Sequence, residues 1–193
     1  MSGSDAVNAA LQGLLSRQSV GAKHLQEPGP SDDQMQRMVE AALRAPDHAG
    51  LVPFRFAVVR GAARDRLGAL FVQAAIDGGK SPADAQLDGE RARRAPVTVA
   101  VIARIDSGHP LVPAHEQWAC VGGALTNLLN AAHAMGFGGK MLSGSKVRHP
   151  ALQQAFCASG ETLVGWIALG TPVNSPSRKV AKARATDVLR EWQ

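Results

Sequence analysis

The chain has 193 residues, an apolar fraction of 45% and a formal net charge of +5. That length suits one sizeable core and is short for two domains. No window holds the ~18 uncharged apolar residues that a membrane span needs. Nor does the charge describe a nucleic-acid surface. Residues 178–193 carry a net +3, and no aromatic residues interleave with the other small cluster, Arg91, Arg93 and Arg94, to stack on bases.

The N-terminus lacks a basic region before an apolar stretch, so it does not read as a secretory signal. Cys120 and Cys157 read as reduced, mostly buried thiols, and a cytoplasmic location is expected. In chain order, residues 5–16 form a helix pattern with Ala6, Ala10, Leu11, Leu14 and Leu15 at three-to-four spacing. Arg17-Gln18-Ser19 and a polar loop through Pro28 and Pro30 follow. Ser31 is a candidate N-cap with Gln34 three residues on. The helix it starts must end near Pro46, which disfavours helical geometry at Ala45.

Residues 54–60 read as a strand, 63–78 and 82–93 as helices, and 97–104 as a second, more deeply buried strand. In 116–135 the positions Trp118, Val121, Leu125, Leu128, Ala132 and Met135 form one stripe, and small residues occupy the other faces. Such a helix is expected to be buried on most faces, at the centre of the fold or at a subunit interface. Gly136 is a candidate C′ residue for it. Residues 139–144 and 162–169 are further extended candidates, the second stopping at Gly170-Thr171-Pro172. The pattern is α+β: one domain over 1–193, a small mixed sheet surrounded by helices, and a C-terminal extension, 173–193, suited to lie on a partner subunit.

Familiar chemistry is mostly excluded. Gly136-Phe137-Gly138-Gly139-Lys140-Met141 begins like a dinucleotide fingerprint, but it follows a helix and lacks the last glycine. Gly139 to Lys146 fails as a P-loop because Ser145-Lys146 reverses the required order. His109, His115 and Glu116 lack a further metal ligand, and Ser143 is not in a nucleophile elbow. A chain without nucleophile or metal either delegates its chemistry to a bound cofactor or is no enzyme. Arg17 and Ser19 can converge on a phosphate. The same Arg can instead stabilise a helix C-terminus, and so can Arg44 and His48.

Over about residues 8 to 173 the sequence resembles the nitroreductase family, in particular its small bacterial members. The resemblance rests on Arg17-Gln18-Ser19, on Arg44-Ala45-Pro46-Asp47-His48-Ala49-Gly50 with Pro53-Phe54-Arg55-Phe56, and on Arg94-Ala95-Pro96. It continues through Glu116 to Gly139 and ends at Leu169-Gly170-Thr171-Pro172. It implies the nitroreductase-like fold as an intertwined homodimer binding FMN between its subunits. Hydride would pass from NADPH or NADH through the flavin to a nitroaromatic, quinone or similar small acceptor, by a ping-pong route.

By the same resemblance, Arg17, Gln18 and Ser19 would hold the phosphate and ribityl end of FMN, and Arg44 and His48 would add contacts. Met141, Leu142 and Ser143 would lie along the flavin from the other subunit. The nicotinamide donor would approach over Ala131, Ala132, His133, Ala134, Met135 and Gly136. Arg178 or Lys179 would add a phosphate contact. Two positions depart from the family pattern. Gly21 stands where a basic residue is usual, the nearest base being Lys23, and Leu142 replaces the Arg of a Trp-Arg-Ser segment. A non-catalytic FMN-binding protein on the same fold is the alternative these departures raise.

Overall fold

The structure, a computed structural model, describes residues 3–173 and 183–193. Helix α1 (Gly3–Ser16) and a two-residue strand β1 (Leu25–Gln26) precede α2 (Asp32–Ala42) and β2 (Phe54–Arg60). Two helices, α3 (Ala63–Asp77) and α4 (Pro82–Arg93), lead to β3 (Val97–Ala103). Then come α5 (Ala114–Ala134), β4 (Gly138–Leu142), α6 (Pro150–Phe156), β5 (Thr162–Pro172) and a short α7 (Ala185–Val188).

The local signals behave as the sequence implies. Ser31 and Gln34 close a reciprocal capping box at the start of α2. The C-terminus of α5 ends in a Schellman motif. Phe137 N–H donates to the Ala132 carbonyl at 2.9 Å and Gly136 N–H to that of His133 at 2.9 Å, with Gly136 at φ +84°.

Strand β3 is the middle of the sheet. It pairs antiparallel with β2 on one side and with β5 on the other. The far edge of β5 is shared by β4 and then β1, both antiparallel. The expected mixed sheet is therefore antiparallel in its ladders, and its parallel component is a single bridge between Ser19 and Gly139. β5 is also longer than the sequence suggests, because Gly170 to Pro172 stay in the sheet by pairing with β4 and β1.

Because strand side chains alternate, fully buried β3 feeds two cores. Val97, Val99, Val101 and Ala103 pack with α2 and α5, whereas Ala100 and Ile102 pack with α3 and α6. A bulge in β5 opposite Val101/Ile102 puts Leu163 and Trp166, three residues apart, on the same face. Gly165 sits in that bulge at φ +155°, and a Cβ there would collide with the Leu142 carbonyl. The end of β4 can lie against β5 only because residue 165 has no side chain.

Helix α5, expected to be buried on most faces at the centre of the fold or at a subunit interface, is buried on one side in the single chain. Cys120, Val121, Ala124, Leu128, Leu129 and Ala132 face the core. Ala119, Gly122, Thr126 and Met135 are exposed, as is Trp118 at 41%. Leu11, Leu14 and Leu15 of α1 are each more than half exposed. The small residues that suggested close packing do so on one side only. Gly123 faces the bend before β2, where an added Cβ would lie 3.2 Å from that of Ala45, while Gly122 has open space.

Candidate functional site

Arg17-Gln18-Ser19 leaves α1 and runs along the edge of β4, because Ser19 bridges Gly139 and Val20 N–H donates to the Gly139 carbonyl at 3.0 Å. This brings the segment against the turn that ends α5. Arg17, Gln18, Ser16, His133 and Gly136 to Gly139 line one cleft of about 460 Å³. The Ser16 hydroxyl and His133 Nε2 are hydrogen-bonded at 3.0 Å. Gly139 is required here for a reason beyond the turn. An added Cβ would approach Leu169 Cδ2 and Leu129 Cδ2 within 3.0 Å, so the β4 backbone can lie close to both only if it is bare. The guanidinium of Arg17 has no ionic or hydrogen-bonded partner among the described residues, which leaves its planar fork available to an oxyanion.

Arg44 lines an adjacent groove between α1 and α5, with Ala131, His133 and Ala134. From there the chain runs back along α5. Asp47 shapes the next turn: its carboxylate accepts from Leu51 N–H at 3.2 Å and Val52 N–H at 2.7 Å. Those bonds hold Ala49 and Val52 at φ +63° and +46°, conformations that cost of order 1–3 kcal/mol each for residues with a Cβ. The product of that strain is the placement of His48, whose Nδ1 lies 2.8 Å from Glu116 Oε2 at the first turn of α5. Glu116 and His133 are seventeen positions apart on one helix, or about 25 Å at 1.5 Å per residue. One protomer therefore does not bring His48 to Arg17.

Met141, Leu142 and Ser143 lie at the other end of β4. Met141 packs against the α2–α5 core. Leu142 and Ser143 line a second cavity, of about 290 Å³, between the sheet and α3–α4. Its walls are Leu67, Phe71, Ala92, Ala95, Thr98 and Trp166. Phe71 and Trp166 meet edge-on with centroids 4.9 Å apart. The indole Nε1–H of Trp166 is buried with no acceptor among the described residues, a donor that a bound oxygen or nitrogen acceptor would satisfy.

One rim of this cavity is charged. Asp88, Arg91 and Lys146 line it. The Asp88 carboxylate receives Lys146 Nζ at 2.6 Å and Lys80 Nζ at 2.8 Å on one oxygen, and Arg91 Nη1 at 3.4 Å on the other. Hydrogen bonds from Lys146 and Lys80 pull its pKa down to about 2. Sequence reasoning singled out none of Phe71, Asp88 or Trp166, and weighed Lys146 only in a rejected P-loop. No short-range pattern links residues 80, 88 and 146. Arg178 lies outside the described residues, as does Lys179. No group of three or more His, Cys, Asp or Glu among the described residues is arranged to hold a metal ion.

The chain and its helix-flanked sheet have counterparts among known proteins. The model of the nitroreductase family matches residues 14–171. The chain is 38% identical over 166 residues to YdjA of Escherichia coli K12, provisionally named an NAD(P)H nitroreductase, covering 84% of this chain and 88% of that protein. A Haemophilus influenzae protein with the same provisional name is 33% identical over 171 residues, covering 88% and 92%. Among solved structures, a nitroreductase-like family protein of Bacillus cereus superposes with a TM-score of 0.83 at 17% identity, over 95% of this chain and 96% of that one. The FMN-dependent nitroreductase NfnB of Mycobacterium smegmatis, solved with NADPH, gives 0.74 at 16% identity, over 97% and 100%. The chain belongs to the nitroreductase family.

Proposed function

We propose that the protein is an FMN-dependent NAD(P)H oxidoreductase acting as a homodimer. The observation that carries this reading is Arg17, without an ionic or hydrogen-bonded partner among the described residues, in a cleft with bare β4 backbone, together with a separate cavity walled by aromatic rings at the other end of that strand. A phosphate end and a planar ring end are thereby provided along one strand. In this reading Arg17 and Ser19 hold the phosphate, with Gln18 beside them, and Leu142 and Ser143 flank the ring system. Bound FMN would supply the two-electron chemistry, and the chain's residues bind, orient and shield it. The relatives' names refer to NAD(P)H, and one structural neighbour is an FMN complex.

Exposed apolar faces support the homodimer. Arg44 and His48 lie along α5 beside its open face, which carries Trp118 and Met135, and α1 exposes three leucines. A second copy of the chain covers these faces and lets its own 44–48 segment reach the flavin of its neighbour. The C-terminal extension, with Trp192 98% exposed, extends that contact. The nicotinamide ring docks over the exposed end of α5, near Ala134 and Met135, and a nitroaromatic or quinone takes its place in the second half-reaction. Both thiols are unpaired, in keeping with a reducing cytoplasm.

Titration of the purified protein with FMN, followed by flavin fluorescence, tests the binding. Sedimentation of the same sample tests the dimer. Saturable 1:1 binding per chain in a two-chain particle is expected. A monomer that binds no FMN contradicts the reading.

A further inference from the structure

The charged rim of the β4 cavity does more than tie helices together. Three cations surround one carboxylate, so the cluster of Asp88, Lys80, Lys146 and Arg91 carries a net charge of +2 beside a cavity otherwise lined by Leu67, Phe71, Ala92, Ala95 and Trp166. Lys146 is the inner member. Its side chain is 21% exposed, against 46% for Lys80 and 61% for Arg91. Its ammonium also lies 5.8 Å from the centroid of the Phe71 ring in the cavity wall, within cation–π range. Asp88, 8% exposed, fixes that ammonium against α4. A positive charge beside low-dielectric walls acts on the cavity's contents more strongly than it would in water.

We infer that Lys146, positioned by Asp88 and reinforced by Lys80, sets the electron affinity of the flavin ring held in this cavity. The inference rests on the function proposed above. A hydride carries two electrons and one proton, and its donor leaves as NAD(P)⁺. The ring that accepts it therefore gains one unit of negative charge until a second proton arrives. A net +2 cluster at the rim stabilises that charge and favours the reduced state. The positions where a base is customary hold Gly21 and Leu142, so this chain supplies the charge from a different direction. The competing explanation is a purely structural clamp that joins α4 to the 145–148 turn. The two differ in what they predict for potential as opposed to stability.

The test is the midpoint potential of protein-bound FMN in wild type and in Lys146→Met, Lys146→Arg, Asp88→Asn and Lys80→Met, with melting temperature measured in parallel. Lys146→Met should lower the affinity ratio of reduced over oxidised flavin by about tenfold, or about 30 mV for a two-electron couple. Lys146→Arg should restore most of it. Asp88→Asn removes a negative charge and should shift the potential the opposite way. If Asp88→Asn does not fold, Lys80→Met carries the sign, with a fall in the same direction as Lys146→Met and smaller. Bound flavin with an unchanged potential, or shifts of one sign throughout, overturns the inference and leaves the proposed function standing. Wild-type protein that takes up no FMN overturns both.

Discussion

The two ends of β4 solve opposite problems. At the Gly138–Gly139 end, binding capacity comes from what has been left out. Side chains are absent, and among the described residues the Arg17 fork is unpaired and the apolar faces of α1 and α5 are uncovered. At the Leu142 end the cavity is built from filled positions: aromatic rings in fixed contact and a carboxylate already surrounded by its cations. In the proposed reading the first end is incomplete as a single chain and would gain stability when a phosphate and a second copy arrive. The second is organised in advance and has little left to order on binding.

The comparison is broken most severely at Gly165, where the prearranged end depends on one missing side chain. Gly165→Val should force the Leu142 carbonyl away and cost about 3 kcal/mol, read as a lower denaturant midpoint with an unchanged slope. At the open end, Arg17→Ala should weaken FMN binding by removing a charge-assisted bond of ~1.5–3 kcal/mol, roughly 10–150-fold in affinity, while stability without FMN stays near wild type. Unchanged affinity would place the phosphate elsewhere.

Gly123→Leu sharpens the contrast between the two sides of α5. The added side chain would press on Ala45 and should cost about 1–3 kcal/mol in a denaturation curve. Gly122→Ala, one residue along on the open side of the single chain, should change the stability of the monomer by less than about 1 kcal/mol, because Gly→Ala in a helix interior is itself mildly favourable.

A further effect expected is electrostatic. Asp88 and Glu161 both have pKa values near 2. Glu161 is held there chiefly by the Arg55 guanidinium, whose Nε donates to it at 2.7 Å. Both carboxyls titrate higher in the unfolded chain, which therefore binds more protons between about pH 4.5 and 2. Their stabilisation is complete above that window and is lost as pH falls through it. Glu161→Gln should flatten the acid limb of the stability curve, measured as melting temperature against pH.

Much of the fold is legible in short stretches of sequence, because its signals are local. The Ser31–Gln34 box, the Gly136 C-cap and the alternation in β2 and β3 each lie within a few residues. The open face of α5 is not legible in this way. A run of Ala and Gly is equally compatible with core and with interface, and only the placement of α2 and the sheet decides which side is covered.

The cleft half of the site follows from Arg17-Gln18-Ser19 because that segment is contiguous and pairs with β4. The cavity half depends on contacts among residues 71, 80, 88, 146 and 166, separated by up to 95 positions. No periodicity reports such contacts. The β5 bulge that turns Trp166 toward α3 is equally invisible, because its only trace is a glycine.

The most direct test of the account is an anaerobic absorption spectrum of the protein reconstituted with FMN, taken before and after addition of NADPH and then NADH. The account predicts a flavin band that bleaches on addition of at least one donor and returns when a quinone or nitroaromatic is added. A flavin band that neither donor bleaches, or no bound flavin at all, would contradict it.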